Sequence, residues 1–125
     1  MAIKDQIVKL YESLNPVDIE AFAALLADDC VVAMNGMHTM SGIYEGKDMI
    51  LGHFMPRVGK SLPDGAGGTI QKILVEGNEA FVHLILEAPD LCMSVGHYFV
   101  FDGDLVKEYH IFDDSQKWAR TIKPM

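Results

Sequence analysis

The chain has 125 residues, 50% of them hydrophobic, and a formal net charge of -8 from 18 acidic and 10 basic residues. This length fits one ordinary domain, so we expect residues 1–125 to form a single domain with a sizeable core. The acidic balance and the scattered basic residues exclude a typical nucleic-acid surface, and no apolar run reaches the ~18 residues of a membrane span. The composition therefore favours a soluble, cytoplasmic protein that binds a small apolar organic ligand, and neither nucleic acid nor membrane.

The first quarter of the chain predicts two amphipathic helices and a strand. Apolar residues recur at helical spacing from Ile3 to Leu14. Asn15-Pro16 then ends the first helix and caps the second, because the residue before a proline is pushed out of the α region. The second helix has its apolar side between Ile19 and Leu26 and ends at an acidic turn. Cys30 to Asn35 follows as a short strand.

A third helix is predicted from Lys47, after the irregular connection of residues 36–46. Its apolar positions, which include Ile50, Phe54 and Val58, again recur at helical spacing. Pro56 lies inside this pattern and predicts a kink or an early end of the helix. The segment KSLPDGAGG that follows is a loop, since Pro-Asp-Gly and Gly-Gly are turn signals.

The second half of the chain predicts an antiparallel meander. Its strand signals run Thr69–Glu76, Ala80–Ala88, Cys92–Phe101 and Leu105–Phe112, separated by the short turns EGNE, APDL and FDGD. This order of elements defines an α+β fold with helices packed on one face of a curved sheet. A sheet curled around a helix leaves a conical cavity, which is a usual place for a small ligand.

Three stretches of the sequence carry a family resemblance: DIEAFAALLADDCVV (residues 18–32), GIYEGKDMILGHF (42–54) and HYFVFDGDLVKEYHIFDD (97–114). They resemble the SnoaL-like and ketosteroid-isomerase-like families of the nuclear-transport-factor-2-like superfamily. The resemblance implies a cystatin-like α+β roll, in which a cone-shaped, curved antiparallel sheet wraps around the N-terminal helices. Such proteins include isomerases, dehydratases and polyketide cyclases as well as members without catalysis, so the resemblance leaves open whether this chain is an enzyme.

The site residues of the isomerases carry over only in part. The isomerase base, an Asp on the first strand, falls at Met34, and the protonated Asp on the penultimate strand falls at His97. The tyrosine of the oxyanion hole falls near Leu10 or Tyr11. Two of these three positions differ in type, which argues against steroid isomerisation. The resemblance to polyketide cyclases instead implies an acid on the last strand, for which Glu108 is the nearest candidate.

The strands of the meander provide the other candidates. The resemblance implies that the strand faces carrying His83, His97 and Glu108 with His110 all look into the cone. Glu108 or His97 would be the base, and His110 and Tyr11 would orient groups or donate hydrogen bonds. The catalytic candidates are thus Glu108, His97, His110 and Tyr11, and the expected cavity lining is Met34, His53, Phe54, His83, Ile85, Val95, Phe99 and Phe112.

Such a cluster predicts acid/base chemistry on a small apolar carbonyl compound, because isomerisation, dehydration and ring closure can all begin with proton abstraction next to a carbonyl. The alternative is a non-catalytic module of the same fold that binds an apolar ligand or pairs with another chain. The apolar residues expected on the outer face predict a homodimer through the sheet face, and they are Tyr98, Val100, Tyr109 and Ile111. The histidines and cysteines lack the spacing typical of a metal site, so we expect neither metal nor cofactor.

Overall fold

The computed structural model describes residues 2–14, 17–38, 40–61 and 65–114, and within them it confirms the predicted α+β class. The helices are α1 (Ile3–Glu12), α2 (Ile19–Ala24), α3 (Lys47–Met49) and α4 (Met55–Ser61), with a π-helical turn (Ile50–Phe54) between the last two. The strands are β1 (Leu26–Met34), β2 (Gly42–Glu45), β3 (Gly67–Glu76), β4 (Glu79–Ala88), β5 (Leu91–Asp102) and β6 (Leu105–Phe112).

The second helix is shorter than its apolar pattern predicts. It begins at Ile19, where the side chain of Asp18 caps it by accepting a hydrogen bond of 3.1 Å from the backbone N–H of Ala21. Asn15 and Pro16, the expected boundary, lie outside the described residues. The helix ends at Ala24 because β1 already begins at Leu26, and strand pairing takes over residues that the periodicity assigns to the helix.

Pro56 does not end the third helical segment, which continues to Ser61. A proline has no N–H to donate within a helix. The irregularity lies just before it, as a π-helical turn in which the N–H of Met55 donates to the carbonyl of Ile50, five residues back. This turn buries Phe54 towards the sheet and leaves the adjacent His53 exposed.

The six strands form one sheet in the order β2-β1-β6-β5-β4-β3. The predicted meander of β3 to β6 is confirmed, and β1 joins its end by pairing parallel with β6 and antiparallel with β2. The sheet is therefore mixed, with one parallel pair. Two of the hairpins turn on glycines with positive φ, Gly77 at 61° and Gly103 at 60°, a conformation that side chains disfavour.

A β-bulge at Lys107 changes which side of β6 faces the helices. The register pairs Val106 with Phe101 but Glu108 with Val100, so Lys107 is an extra residue on β6. Strict alternation from Val106, on which the sequence-based assignment depends, fails at this point. The expectation that β6 turns its acid and imidazole into the cone is therefore wrong, and the side chains that face outward instead are those of Glu108, His110 and Phe112. Tyr109 and Ile111, which were expected on the outer face, are buried on the inner one.

Strand β4 also presents the face opposite to the one expected. Val82 pairs with His97, and both side chains are buried. His83 and Ile85 consequently point away from the helices, and His83 Nε2 lies 2.6 Å from Ser94 Oγ on the outer face. The prediction failed because both faces of β4 carry apolar residues, so hydrophobicity alone does not select the inner one.

The core lies between the inner face of the sheet and the helices. Ile7 and Leu10 of α1 and Phe22 of α2 are essentially inaccessible to solvent, as are Val82 and Phe99 of the sheet. Burial of such side chains is the main source of folding free energy. Within the described ranges, no helix is long and apolar enough to cross a membrane.

Candidate functional site

A cavity of about 460 Å³ lies between the inner face of the sheet and the helical layer. Its size fits a small organic molecule. The wall is mostly apolar, and its apolar members include Phe22, Met34, Met40, Phe54, Leu84 and Val95. Against this wall, any polar side chain that reaches the cavity will dominate the recognition of a ligand.

The first polar group of the cavity is centred on His97 of β5. Its Nδ1 atom lies 2.6 Å from the hydroxyl of Tyr11 and 3.2 Å from the hydroxyl of Tyr109. The Tyr11 ring is nearly parallel to the imidazole, with an interplanar angle of 7° and 5.8 Å between centroids. All three side chains line the cavity. We call this set the Tyr11–His97–Tyr109 cluster.

Burial keeps the three groups of this cluster uncharged. It lowers the pKa of His97 to about 3, so the imidazole is neutral at physiological pH. Burial, followed by the neighbouring Tyr109, raises the pKa of Tyr11, and burial likewise raises the pKa of Tyr109. A neutral imidazole with so low a pKa is a weak base, which argues against the predicted role of His97 as the base. The cluster is instead suited to donating and accepting hydrogen bonds.

The second polar group consists of Asp113 and His38. Asp113 lines the cavity just after β6, and His38 lies in the connection between β1 and β2. His38 Nε2 is 3.9 Å from Asp113 Oδ1, and each side chain is only 1% exposed. Burial lowers the pKa of His38. The N–H of Met40 donates to His38 Nδ1 at 3.2 Å, so a neutral His38 carries its proton on Nε2, towards the carboxylate.

The backbone around Asp113 is tied to the end of β1. The N–H of Asp113 donates to Asn35 Oδ1 at 3.2 Å, and the side-chain amide of Asn35 donates to the carbonyl of Asp113 at 3.4 Å. Ser41 Oγ donates to the carbonyl of Asn35 at 2.9 Å and accepts from the N–H of His38 at 3.0 Å. These bonds fix the position of Asp113 relative to the connection that carries His38.

Asp113 and the Tyr11–His97–Tyr109 cluster line the same cavity. Ile111 is the register partner of His97, and Asp113 follows it by two residues, just beyond the end of β6. A small ligand in this cavity can therefore contact the carboxylate and the cluster at the same time.

The structure brings together some of the residues proposed from the sequence and separates others. Phe99 is buried behind the cavity wall, with its ring 4.6 Å from that of Tyr109, and His53 is exposed on the helical layer. On the outer face, Glu108 and His110 form a pair of 3.0 Å. The proposed residues that lie on the cavity wall are Tyr11, Met34, Phe54, Val95 and His97, and those on the outer face are His83, Ile85, Glu108, His110 and Phe112.

Sequence reasoning missed Tyr109, Asp113 and His38. The bulge at Lys107 brings Tyr109 to the inner face, and no sequence signal marks the bulge. Asp113 was not considered because it follows the last predicted strand, although the resemblance to polyketide cyclases implied an acid on that strand. Among the described residues, no group of three or more His, Cys, Asp and Glu side chains could hold a metal ion.

The sequence matches the model of a protein family. The model of the SnoaL-like domain matches residues 7–109. No curated protein matches the sequence of this chain.

Several solved structures share the fold. An NTF2-like protein of unknown function from Burkholderia pseudomallei has a TM-score of 0.85 and 16% identity, with 99% of this chain and 100% of that chain covered. A hypothetical protein with a ketosteroid isomerase-like fold from Catenulispora acidiphila, in complex with trimethylamine, has a TM-score of 0.76, 12% identity and coverages of 96% and 93%. TerC, co-crystallised with polyporic acid, has a TM-score of 0.79, 13% identity and coverages of 94% and 95%. At these identities the likeness shows the fold alone.

Proposed function

The chain belongs to the SnoaL-like domain family, and we propose that it is an acid/base enzyme that removes a proton next to the carbonyl group of a small, mostly apolar compound. One observation carries this proposal. A buried carboxylate, Asp113, and a neutral hydrogen-bonding cluster around His97 line the same apolar cavity. Asp113 takes the role that the sequence assigned to Glu108, which faces outward.

The two polar groups divide the reaction between them. Asp113 accepts the proton from the carbon next to the carbonyl, and the electron pair of the broken C–H bond moves to the carbonyl oxygen. The Tyr11–His97–Tyr109 cluster stabilises the enolate oxygen that forms, in an apolar cavity where such hydrogen bonds are strong. Return of the proton to another carbon gives isomerisation. Transfer of that proton to a departing β-hydroxyl, which leaves as water, gives dehydration. Attack of the enolate carbon on a second carbonyl, with the proton passed to the new alkoxide, gives cyclisation.

Proton exchange tests this proposal without knowledge of the natural substrate. β-Tetralone, a small apolar ketone with acidic protons, is incubated with the protein in D₂O, and deuterium uptake is followed by NMR. Asp113→Asn is expected to lower the exchange rate at least ~10²-fold, the usual contribution of a general base. Glu108→Gln, which replaces an outward carboxylate on β6, the strand that ends just before Asp113, is the matched control and should leave the rate unchanged.

Two outcomes contradict the proposal. The first is an Asp113→Asn protein that keeps its circular dichroism spectrum and exchanges as fast as the wild type. The second is a wild-type rate equal to that of buffer, for β-tetralone and for a series of enolisable bicyclic ketones. This second result favours the alternative of a binding module.

The alternative function, binding without catalysis, has one observation in its favour. Met34 lines the cavity at the position where the isomerases place their base, so the usual proton acceptor is replaced by an apolar side chain. A binding module predicts that bicyclic ketones raise the melting temperature by mass action while their protons exchange at the buffer rate. Ketone-induced stabilisation combined with fast exchange excludes it.

The outer face of the sheet supports the proposal of a homodimer. Phe81 and Phe112 are 40% and 48% exposed there, and exposed apolar area of this kind is typical of interfaces. Four strands of about ten residues span roughly 600 Å² in plan, which is comparable to the ~800 Å² that each partner buries in a standard interface.

Light scattering should give a dimer for the wild type and for the control Ile19→Glu on α2, and a monomer for Phe112→Glu. A monomeric wild type at high micromolar concentration refutes the dimer.

A further inference from the structure

We propose that His97 acts as a neutral hydrogen-bond donor through its Nε2–H, and that Tyr11 and Tyr109 fix this tautomer by holding Nδ1 as an acceptor. His97 would touch the ligand oxygen directly, whereas Tyr109 would act through His97 as a positioning residue. The inference rests on the proposed function for the identity of that oxygen, whereas the tautomer of His97 can be tested without it.

The contacts of the ring favour this tautomer. Both hydroxyls approach the same ring atom, Nδ1, at 2.6 and 3.2 Å. A phenol hydroxyl is a stronger acid than an imidazole N–H, and an imidazole nitrogen is a stronger base than a phenol oxygen. The favoured hydrogen bond between them therefore runs from the hydroxyl to the nitrogen. Nδ1 accepts, and the single proton of the neutral ring resides on Nε2.

The opposite tautomer leaves more hydrogen-bonding groups without partners. With the proton on Nδ1, the ring would donate to the oxygen of one tyrosine. That tyrosine could donate to the other, whose hydroxyl proton would then have no acceptor. A buried donor without an acceptor is costly. With Nδ1 as the acceptor, the single lone pair of this atom accepts from Tyr11 at 2.6 Å. The Tyr109 hydroxyl, 3.2 Å from the same atom, can donate to the Tyr11 oxygen.

The Nε2 atom is available to a ligand. His97 lines the cavity, both of its hydrogen bonds use Nδ1, and no residue in the described ranges hydrogen-bonds Nε2. The polar groups that contact the ring are the neutral hydroxyls of Tyr11 from α1 and Tyr109 from β6, and the Asp113 carboxylate lines the same cavity. Neither of the two contacting groups is charged, so nothing in contact with the ring favours an imidazolium, and its burial keeps it neutral.

NMR of protein labelled with ¹⁵N in its histidine rings tests the tautomer. The signals of His97 are identified by their loss in His97→Gln. The expected spectrum shows a protonated Nε2 and an accepting Nδ1 at neutral pH. In the double variant Tyr11→Phe/Tyr109→Phe, the ring should show a mixture of tautomers, which a merely structural effect of the hydroxyls would not produce. A wild-type ring protonated on Nδ1, or on both nitrogens, overturns the inference.

β-Naphthol, an enol-like relative of β-tetralone, tests the donor role. Its binding should move the Nε2–H resonance of His97, and His97→Leu should weaken its affinity about 10-fold, as expected for loss of one hydrogen bond. Binding that leaves this resonance in place overturns the donor role. Failure of the proposed function gives a different result. Deuterium exchange at the buffer rate with the wild type contradicts the function, even when the tautomer and the β-naphthol-induced change of the Nε2–H resonance are as expected.

Discussion

The burial of a neutral imidazole at His97 predicts a specific dependence of stability on pH. The folded state holds His97 with a pKa of about 3, whereas the unfolded imidazole binds a proton below about pH 6.5. The unfolded state therefore binds more protons than the folded state as the pH falls between these values. The stability that depends on a neutral His97 is fully present above about pH 6.5 and is lost progressively towards about pH 3.

The magnitude follows from the difference between the two pKa values. A shift of this size lowers the free energy of unfolding by about 5 kcal/mol once the pH has fallen below both pKa values. At pH ~5 the loss is about 2 kcal/mol. Other groups also titrate in this range, so the quantity to measure is the difference between the wild type and His97→Gln. Glutamine keeps a hydrogen-bonding amide for the two tyrosine hydroxyls and has no proton to gain.

Urea unfolding followed by circular dichroism at pH ~8 and pH ~5 measures this difference. The free energy of unfolding of the wild type should fall by about 2 kcal/mol more than that of His97→Gln between the two pH values. His110→Gln on the outer face reports the effect of removing a partly exposed imidazole. Equal losses in the wild type and His97→Gln would show that the ring is not held neutral, and would refute the reasoning.

Three further predictions concern stability, reactivity and the cavity. Phe99→Ala should lower the free energy of unfolding by ~3–5 kcal/mol in urea titration, because the ring is fully buried. Burial raises the pKa of Cys30 to about 12, so mass spectrometry should find the exposed Cys92 alkylated in the native protein and Cys30 only after unfolding. Gly67→Leu should lower the affinity for β-naphthol at least ~10-fold with little effect on folding, since a Cβ there meets no atom within 4 Å and the position lines the cavity.

The fold was predictable because several local signals agree. The predicted strand ends of the meander lie within two residues of the observed ends. This agreement arises because Gly-Asn and Gly-Asp turns between apolar runs are typical of hairpins. The start of β1 was not predictable. Leu26 continues the apolar pattern of α2, and only its pairing with Val106, far along the chain, makes it part of a strand.

The candidate site was harder to predict because it depends on side-chain direction. On β5 the resemblance implied the correct inner face, where His97 alternates with the buried side chains of Val95 and Phe99. On β6 one extra residue, Lys107, reversed the assignment of Glu108 and brought Tyr109 inside. Non-local pairing, which local sequence does not encode, decides both the bulge and the position of Asp113.

The parallel pairing of β1 with β6 has a consequence for synthesis of the protein. Leu26 pairs with Val106, 80 residues later in the chain, so at ~5–20 residues per second the ribosome needs several seconds to supply the partner of β1. Until then the most apolar early strand has only the short β2 as a neighbour. The nascent chain therefore exposes an unpaired strand edge that can pair with other chains. Cells that make this protein quickly should need chaperones to prevent its aggregation before the last strand emerges.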